Sequence, residues 1–163
     1  MTWERLKEVL DKVSKEFGGY VESSSFKEGK IAKLVVKAEK LVEVAEYLKG
    51  QGFDHVKAVT GIDLVKLRKG GGNLIEVSYQ LGSYSVEELR DSILNLSVKI
   101  DRDSPNSPSL YKVWPSVEYH EREVYEMLGV SFQGHPDLRR LLLPEYWMDI
   151  PPLRKDYKVP GRD

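Results

Sequence analysis

The chain contains no cysteine, and this absence excludes several kinds of chemistry. Disulfide bonds, thiolate zinc sites, a cysteine nucleophile and cysteine-bound iron–sulfur clusters all need a sulfur atom that this chain cannot supply. Histidine is also scarce, with three residues in 163. Any metal site on the chain would therefore have to be a small cluster of histidine and carboxylate ligands.

The chain also lacks an excess of positive or negative residues, and it lacks long apolar runs. Lys and Arg number 25 against 26 Asp and Glu, so there is no overall basic field to attract nucleic acid or an anionic membrane. The apolar runs, such as 141–143, are only a few residues long, too short to cross a bilayer. Charges interrupt the first residues, so we do not expect them to form a signal peptide. We expect a cytoplasmic location, and the many Lys and Glu residues without Cys are typical of a thermophile.

Hydrophobic periodicity predicts an α+β domain in residues 1–110. Apolar residues at three- and four-residue spacing indicate helices over 3–17 and 41–48, which end at Gly18 and Gly50. Runs of apolar and β-branched residues indicate strands over 31–37, 53–67, 74–81 and 94–100. The sequence Gly70-Gly71-Gly72-Asn73 predicts the turn of a hairpin, and 101–109 reads as a loop.

The pattern changes in residues 111–163. Trp114-Pro115-Ser116 predicts the start of a helix that is capped by Ser116 and ends at Gly129. Beyond it prolines interrupt the chain repeatedly, so this segment cannot form a core and must lie along the domain or another protein. We therefore predict a single domain with a mixed sheet flanked by helices. An extended, proline-broken C-terminal docking segment follows it within the same structural unit.

The motifs of common enzymes are incomplete. His120-Glu121 matches the first two residues of the zinc motif H-E-x-x-H. The motif then fails, because Glu123 is followed by Val124 where the second histidine should stand. No serine lies in a Gly-x-Ser-x-Gly elbow, and the glycine run lacks the Lys-Ser/Thr of a phosphate loop. Ion pairs along the helix, Glu118 with Arg122 and Arg122 with Glu126, explain the charges more simply. A metal enzyme centred on His120, Glu123 and His135 remains the alternative hypothesis.

Two further features favour docking. The arginine pair Arg139-Arg140, with Arg154-Lys155 further on, can bind a phosphate or carboxylate, or pair with acids across an interface with another protein. The C-terminal third is also rich in aromatic residues, and Trp, Tyr and Arg are the usual anchors of protein interfaces. The aromatic rings can equally complete the core of the domain itself.

The stretch from Glu121 to Pro144, which reads EREVYEMLGVSFQGHPDLRRLLLP, closely resembles the signature of the thirty-kilodalton subunit (C chain) of respiratory complex I. The later stretch Pro152-Leu153-Arg154-Lys155-Asp156-Tyr157 resembles that family's second signature. Between Trp147 and Pro152 the chain departs from the family pattern, which has a glycine there.

This resemblance implies a peripheral-arm subunit with no catalytic residue and no cofactor of its own. It would pack on a large hydrogenase-like subunit and a small iron–sulfur subunit, which hold iron–sulfur clusters and, in some complexes, a nickel–iron site. No nucleic acid is expected, and the membrane would be met only through the complex, on its cytoplasmic face. The expected interface residues are Glu121, Arg122, Glu123, Tyr125, His135, Asp137, Arg139, Arg140, Trp147, Arg154, Lys155 and Asp156.

The parent complexes of the family couple electron transfer to ion translocation. The short chain and its charge content favour a ferredoxin-linked archaeal hydrogenase or sulfane reductase complex. The same subunit of an NADH:quinone or F420-linked respiratory complex is the alternative.

Overall fold

The computed structural model describes residues 2–27, 29–67 and 71–162, where helices lie against a five-stranded sheet. The elements are α1 (Thr2–Phe17), β1 (Val21–Lys27), β2 (Ile31–Val36), α2 (Leu41–Gly50), β3 (His55–Asp63), β4 (Leu74–Gly82), β5 (Ile93–Asp101), β6 (Asn106–Pro108), α3 (Glu118–Leu128) and β7 (Ser131–Gln133). Single turns of 3₁₀ helix precede α2 and α3.

The main sheet is mixed and has the strand order β1-β2-β5-β4-β3. Its central pair β2 and β5 runs parallel, and its other neighbours are antiparallel. This arrangement confirms the predicted α+β class. The predicted hairpin is also present, with Asp63 of β3 opposite Ile75 of β4 at its closed end. Gly70, part of the predicted turn, lies outside the described residues.

One face of the sheet forms the core together with the helices. Strand β5 shows the reason, because Leu94, Leu96 and Val98 are fully buried, while Asn95 and Lys99, which point to the opposite face, are only half-buried. Successive side chains of a strand point to opposite faces, so alternation selects one apolar face. The apolar stripe of α1 covers it through Leu6, Val9, Leu10 and Val13. Each buried leucine contributes about 1.5–3 kcal/mol.

Helix α3 packs across β3 at Gly61. A Cβ at this position would lie 2.3 Å from Leu128 Cδ1 and 3.0 Å from Val124 Cγ1, so a larger residue would force these side chains of the helix to move. Gly129 ends the helix in the left-handed conformation, with φ 79°, as predicted. The predicted cap at Ser116 is corrected: Ser116 lies inside a 3₁₀ turn, and α3 begins at Glu118 without a capping side chain. Pro115, whose fixed φ suits a first turn, starts that turn.

Three strands, β1, β6 and β7, were not predicted from the sequence. β1 is an edge strand whose side chains are exposed on both faces, so it shows no apolar alternation. β6 falls in the predicted loop 101–109, and it pairs in parallel with β7 to form a small second sheet. A three-residue strand such as Ser131–Gln133 is too short to produce a periodic signal.

Beyond β7 the described chain contains only turns and extended segments. This C-terminal segment, 134–162, returns to the domain, where the Leu153 N–H donates to the carbonyl of Met127 at 2.9 Å. Within the described residues, no helix combines the length and apolarity needed to cross a bilayer.

Candidate functional site

Glu121 of α3 is completely buried and joins three parts of the chain. Its Oε1 accepts hydrogen bonds from the Tyr79 hydroxyl at 2.8 Å and the Leu110 N–H at 2.9 Å. Its Oε2 accepts from Ser109 Oγ at 2.5 Å. Burial raises the pKa of the Glu121 carboxyl, because it outweighs the donors that favour the charged form. Burial, together with Glu121, also raises the pKa of Tyr79 well above its ordinary value.

Arg122 and Glu126 hold the C-terminal segment by its backbone, and we call this pair the helix clamp. Arg122 donates from Nε to the carbonyl of Arg139 at 3.0 Å and from Nη2 to the carbonyl of Arg140 at 2.7 Å. Glu126 accepts the next three N–H groups in the chain at 2.7–3.1 Å, those of Leu141, Leu142 and Leu143. Residues four apart share a helix face, so a cation and an anion together hold one irregular segment of the chain.

The helix clamp replaces the expected ion pairs. In the described part of the chain, Arg122 pairs with neither Glu118 nor Glu126. The physical reason lies in the backbone: an irregular segment has no helix or strand hydrogen bonds of its own, so its N–H and C=O groups need other partners. The charged side chains of α3 supply them.

His135 closes the corner that follows β7. Its Nδ1 accepts the N–H of Asp137 at 3.0 Å, so Nε2 carries the proton and donates to the carbonyl of Glu118 at 2.9 Å. Both ring nitrogens are thereby used within the chain. Among the described residues no group of three or more His, Asp or Glu could hold a metal ion, so His120, Glu123 and His135 do not form the ligand set of the alternative hypothesis.

A second group of contacts fixes the end of the segment. It is formed by Asp63 and Arg102, and we call this pair the sheet clamp. Arg102 donates from Nε and Nη2 to the two carboxylate oxygens of Asp63 at 2.9 and 3.0 Å. The backbone N–H of Lys155 donates to the same carboxylate at 2.9 Å. Asp156 pairs with Arg102 at 3.0 Å, and Arg154 donates to the Arg102 carbonyl at 3.1 Å. The signature residues 154–156 thus bind the end of the sheet.

The pKa of Asp63 reflects this clamp. Burial alone would raise it, but the Arg102 guanidinium and the N–H groups of Lys155 and Val65 outweigh burial and lower it below the ordinary value. The charged form of Asp63 is therefore the one that the clamp stabilises.

Between the two clamps, residues 144–152 carry apolar side chains into solvent. Tyr146 is 82% exposed and Met148 is 97% exposed. The backbone beneath them is held, because Arg140 Nη2 donates to the Trp147 carbonyl at 2.5 Å and the Trp147 ring lies 5.9 Å from that of Tyr157. We call residues 145–149, Glu-Tyr-Trp-Met-Asp, the tip.

The predicted interface residues occupy different environments. Glu121 and Arg122 are buried inside the chain, where they bind other groups of this chain, and their role as partner contacts stays a prediction. Six residues are half-buried: Tyr125, His135, Asp137, Arg140, Trp147 and Arg154. Four are exposed: Glu123, Arg139, Lys155 and Asp156. Arg139 forms an ion pair with Asp137 at 2.8 Å, so its guanidinium already has an anionic partner within the chain.

Several important residues were not predicted. Glu126 was expected only as a surface ion-pair partner, although its position four residues after Arg122 could have indicated a shared role. Asp63 and Arg102 carry no local signal, because the contact from Asp63 to Lys155 spans 92 residues. Met148 was not predicted as a functional residue, because a single exposed methionine produces no recognisable sequence pattern.

These observations define a class of protein: an α+β domain that presents a clamped, apolar C-terminal segment. The chain belongs to the family of the 30 kDa subunit of respiratory-chain NADH dehydrogenase, whose model matches residues 34–163. This confirms the resemblance inferred from the two signatures.

Two relatives are similar over most of the chain. A chloroplast NAD(P)H-quinone oxidoreductase subunit from Chaetosphaeridium globosum is 36% identical over 129 residues, which cover 78% of this chain and 72% of that protein. An F(420)H(2) dehydrogenase subunit from Methanosarcina mazei is 37% identical over 124 residues, which cover 76% of this chain and 73% of that protein.

Two solved structures share the fold. A trypsin-resistant fragment of Nqo5 has a TM-score of 0.70 and 27% identity, covering 82% of this chain and 99% of the fragment. A chain of an archaeal membrane-bound sulfane sulfur reductase has a TM-score of 0.72, covering 94% of this chain and 85% of that chain. At 21% identity the second likeness supports the fold alone.

Proposed function

We propose that this chain is a non-catalytic scaffold subunit in the peripheral arm of a complex I-like oxidoreductase that couples electron transfer to ion translocation. The family match over residues 34–163 carries the proposal, and it makes the chain a subunit of a complex I-like assembly. The clamped segment supports the scaffold role, because its charged residues serve to hold backbone in place. The family binds no cofactor on this subunit, and the cofactors lie on other subunits.

The partners follow from the same proposal. A large hydrogenase-like subunit and a small iron–sulfur subunit would receive the C-terminal segment, and they would hold the iron–sulfur clusters and, in a hydrogenase, a nickel–iron site. The complex would attach this chain to the cytoplasmic face of the membrane. This chain itself would contribute a structural scaffold that positions the partner subunits.

The proposed type of complex is a ferredoxin-linked archaeal hydrogenase or sulfane reductase. The short chain and its charge content favour this choice. The second candidate is an NADH:quinone or F420-linked complex, which the 37% identity with the F(420)H(2) dehydrogenase protein favours. Purified complex supplied in turn with reduced ferredoxin, F420H2 or NADH distinguishes them, since only the true donor should be oxidised.

The scaffold role is tested by purifying the complex through a tag on this chain. Native mass spectrometry should find iron–sulfur partner subunits bound to the wild-type chain, while the isolated chain should contain no stoichiometric metal. About one bound ion per isolated chain would instead support the metal enzyme of the alternative hypothesis. Salt-sensitive binding of a small anion by the free chain would support an anion-binding module.

Replacing Arg140 tests whether the position of the tip matters for assembly of the complex. The Arg140→Ala variant loses the hydrogen bond to the Trp147 carbonyl, so the tip should lose its fixed position and less partner should be recovered. Arg90→Ala is the control, because Arg90 also donates to a carbonyl, that of Tyr84, but far along the chain from the segment. Recovery of the complete complex at the wild-type yield would show that Arg140 is not an anchor.

A further inference from the structure

The tip combines exposed apolar side chains with a backbone that is already fixed. Leu142 before it is 64% exposed, and Tyr146 and Met148 within it are 82% and 97% exposed. Exposed apolar groups that lie close together mark interaction sites more often than singly scattered ones do. The tip is therefore a candidate interaction site.

The two clamps lower the cost of binding. The helix clamp holds 139–143, Arg140 holds the carbonyl of Trp147, and the sheet clamp holds 154–156. A segment whose backbone is ordered in advance loses less conformational entropy when it binds. Arg122, Glu126, Asp63 and Arg102 therefore act as positioning residues: they touch the segment and leave the tip free to touch something else.

The charges of the tip select the kind of ligand. Glu145 and Asp149 flank the apolar pair, and both carboxylates are exposed. In the described part of the chain neither of them forms an ion pair. Two unpaired anions beside the apolar side chains repel an anionic lipid surface, and they attract a protein groove that has Lys or Arg at its rim.

We propose that Tyr146 and Met148 insert into an apolar groove of a partner protein in the complex, and that Glu145 and Asp149 pair with basic residues at the rim of that groove. This inference rests on the proposed function and adds the contact residues and the chemistry of the partner surface. Tyrosine is enriched among the residues that dominate binding energy, and such residues lie in pockets that exclude water.

Two double variants of the tagged full-length chain test the proposal in the assembled complex. Tyr146→Ala/Met148→Ala removes the apolar contacts, and Tyr84→Ala/Phe26→Ala is its control, because Tyr84 and Phe26 are also exposed, at 72% and 43%. Glu145→Lys/Asp149→Lys reverses the rim charges. Its control, Glu87→Lys/Glu88→Lys, makes the same charge change on exposed residues elsewhere.

We expect both tip variants to recover at least about tenfold less partner than their controls, with the melting temperature of the free chain unchanged. Equal recovery from tip and control variants would overturn the proposal and leave the scaffold role standing. If the wild type and controls also recovered no partner, the proposed function and this inference would both fail.

Two further measurements identify a different ligand. Sedimentation with vesicles of phosphatidylglycerol and phosphatidylcholine tests lipid, and ultracentrifugation of the free chain tests a second copy. Loss of vesicle binding with normal assembly in the Tyr146→Ala/Met148→Ala variant would assign the tip to a membrane. Conversion of a wild-type dimer into a monomer by the same variant would assign it to self-association. Either result contradicts a partner groove.

Discussion

The domain and the C-terminal segment of this chain are held in place by different forces. In the domain, fully buried apolar side chains such as Leu10, Leu34 and Leu96 fill the space between the helices and the sheet. In the segment, Arg122, Glu126 and the sheet clamp bind backbone groups directly. Apolar burial is non-directional and tolerates many arrangements. Hydrogen bonds from charged groups fix one path of the chain, which suits a segment that must present a surface.

The largest effect should come from the apolar core. We predict that Leu96→Ala lowers the free energy of unfolding of the whole domain by about 2–5 kcal/mol, because it leaves a cavity at a position with no exposed surface. Chemical denaturation measures this loss. Asn95→Ala on the other face of β5 is the control and should cost far less. A Leu96→Ala loss below about 1 kcal/mol would mean that the core is not tightly packed here.

An intermediate and local effect should follow from Glu126→Gln. The amide has one acceptor oxygen, and its NH₂ group faces N–H donors of residues 141–143, so the clamp loses part of its hydrogen bonding at a cost of about 1–3 kcal/mol. We expect trypsin to cut after Arg139 and Arg140 about tenfold faster, while the domain keeps its melting temperature.

Arg139→Ala is the control for that change, and it should leave cleavage after Arg140 at the wild-type rate. It breaks an ion pair with Asp137 in which the Arg139 side chain is 73% exposed, and exposed pairs contribute about 0–1 kcal/mol. Unchanged cleavage after Arg140 in the Glu126→Gln variant would mean that Glu126 does not hold the segment.

The smallest effect at neutral pH should come from Glu121→Gln. The amide oxygen can still accept from Tyr79 and Leu110, and its NH₂ group can donate to Ser109 Oγ. Because burial raises the pKa of Glu121, the folded wild type binds the proton more tightly than the unfolded chain does. The contribution of Glu121 to wild-type stability therefore falls as pH rises from the unfolded pKa of about 4.3 until the folded pKa is passed.

The variant has no carboxyl at this position, so it escapes that loss. Denaturation of both proteins from pH 4 to 7 should show the difference in unfolding free energy moving in favour of Glu121→Gln as pH rises. A difference that stays constant over this range would contradict a raised pKa for Glu121.

The same contrast explains how far the sequence could predict the structure. Helix α1, the hairpin of β3 and β4, and the stop of α3 at Gly129 follow from apolar periodicity and glycine, which are local signals. The pairing of Asp63 with Lys155 joins residues 92 apart through a single carboxylate, and no local pattern records it. Glu121 and Arg122 were expected on the surface because charged residues are almost never buried unless they are paired. Here the partners are backbone groups and hydroxyls, which the sequence does not identify.

Amide hydrogen exchange of residues 141–143 in the free chain tests the central claim most directly. If the helix clamp holds the segment before any partner arrives, these three amides exchange slowly in the wild type. In Glu126→Gln they should exchange faster, while the amides of β4 and β5 stay protected. Exchange at the rate of an unstructured peptide in the wild-type chain would contradict the account, because the segment would then be ordered only by its partner.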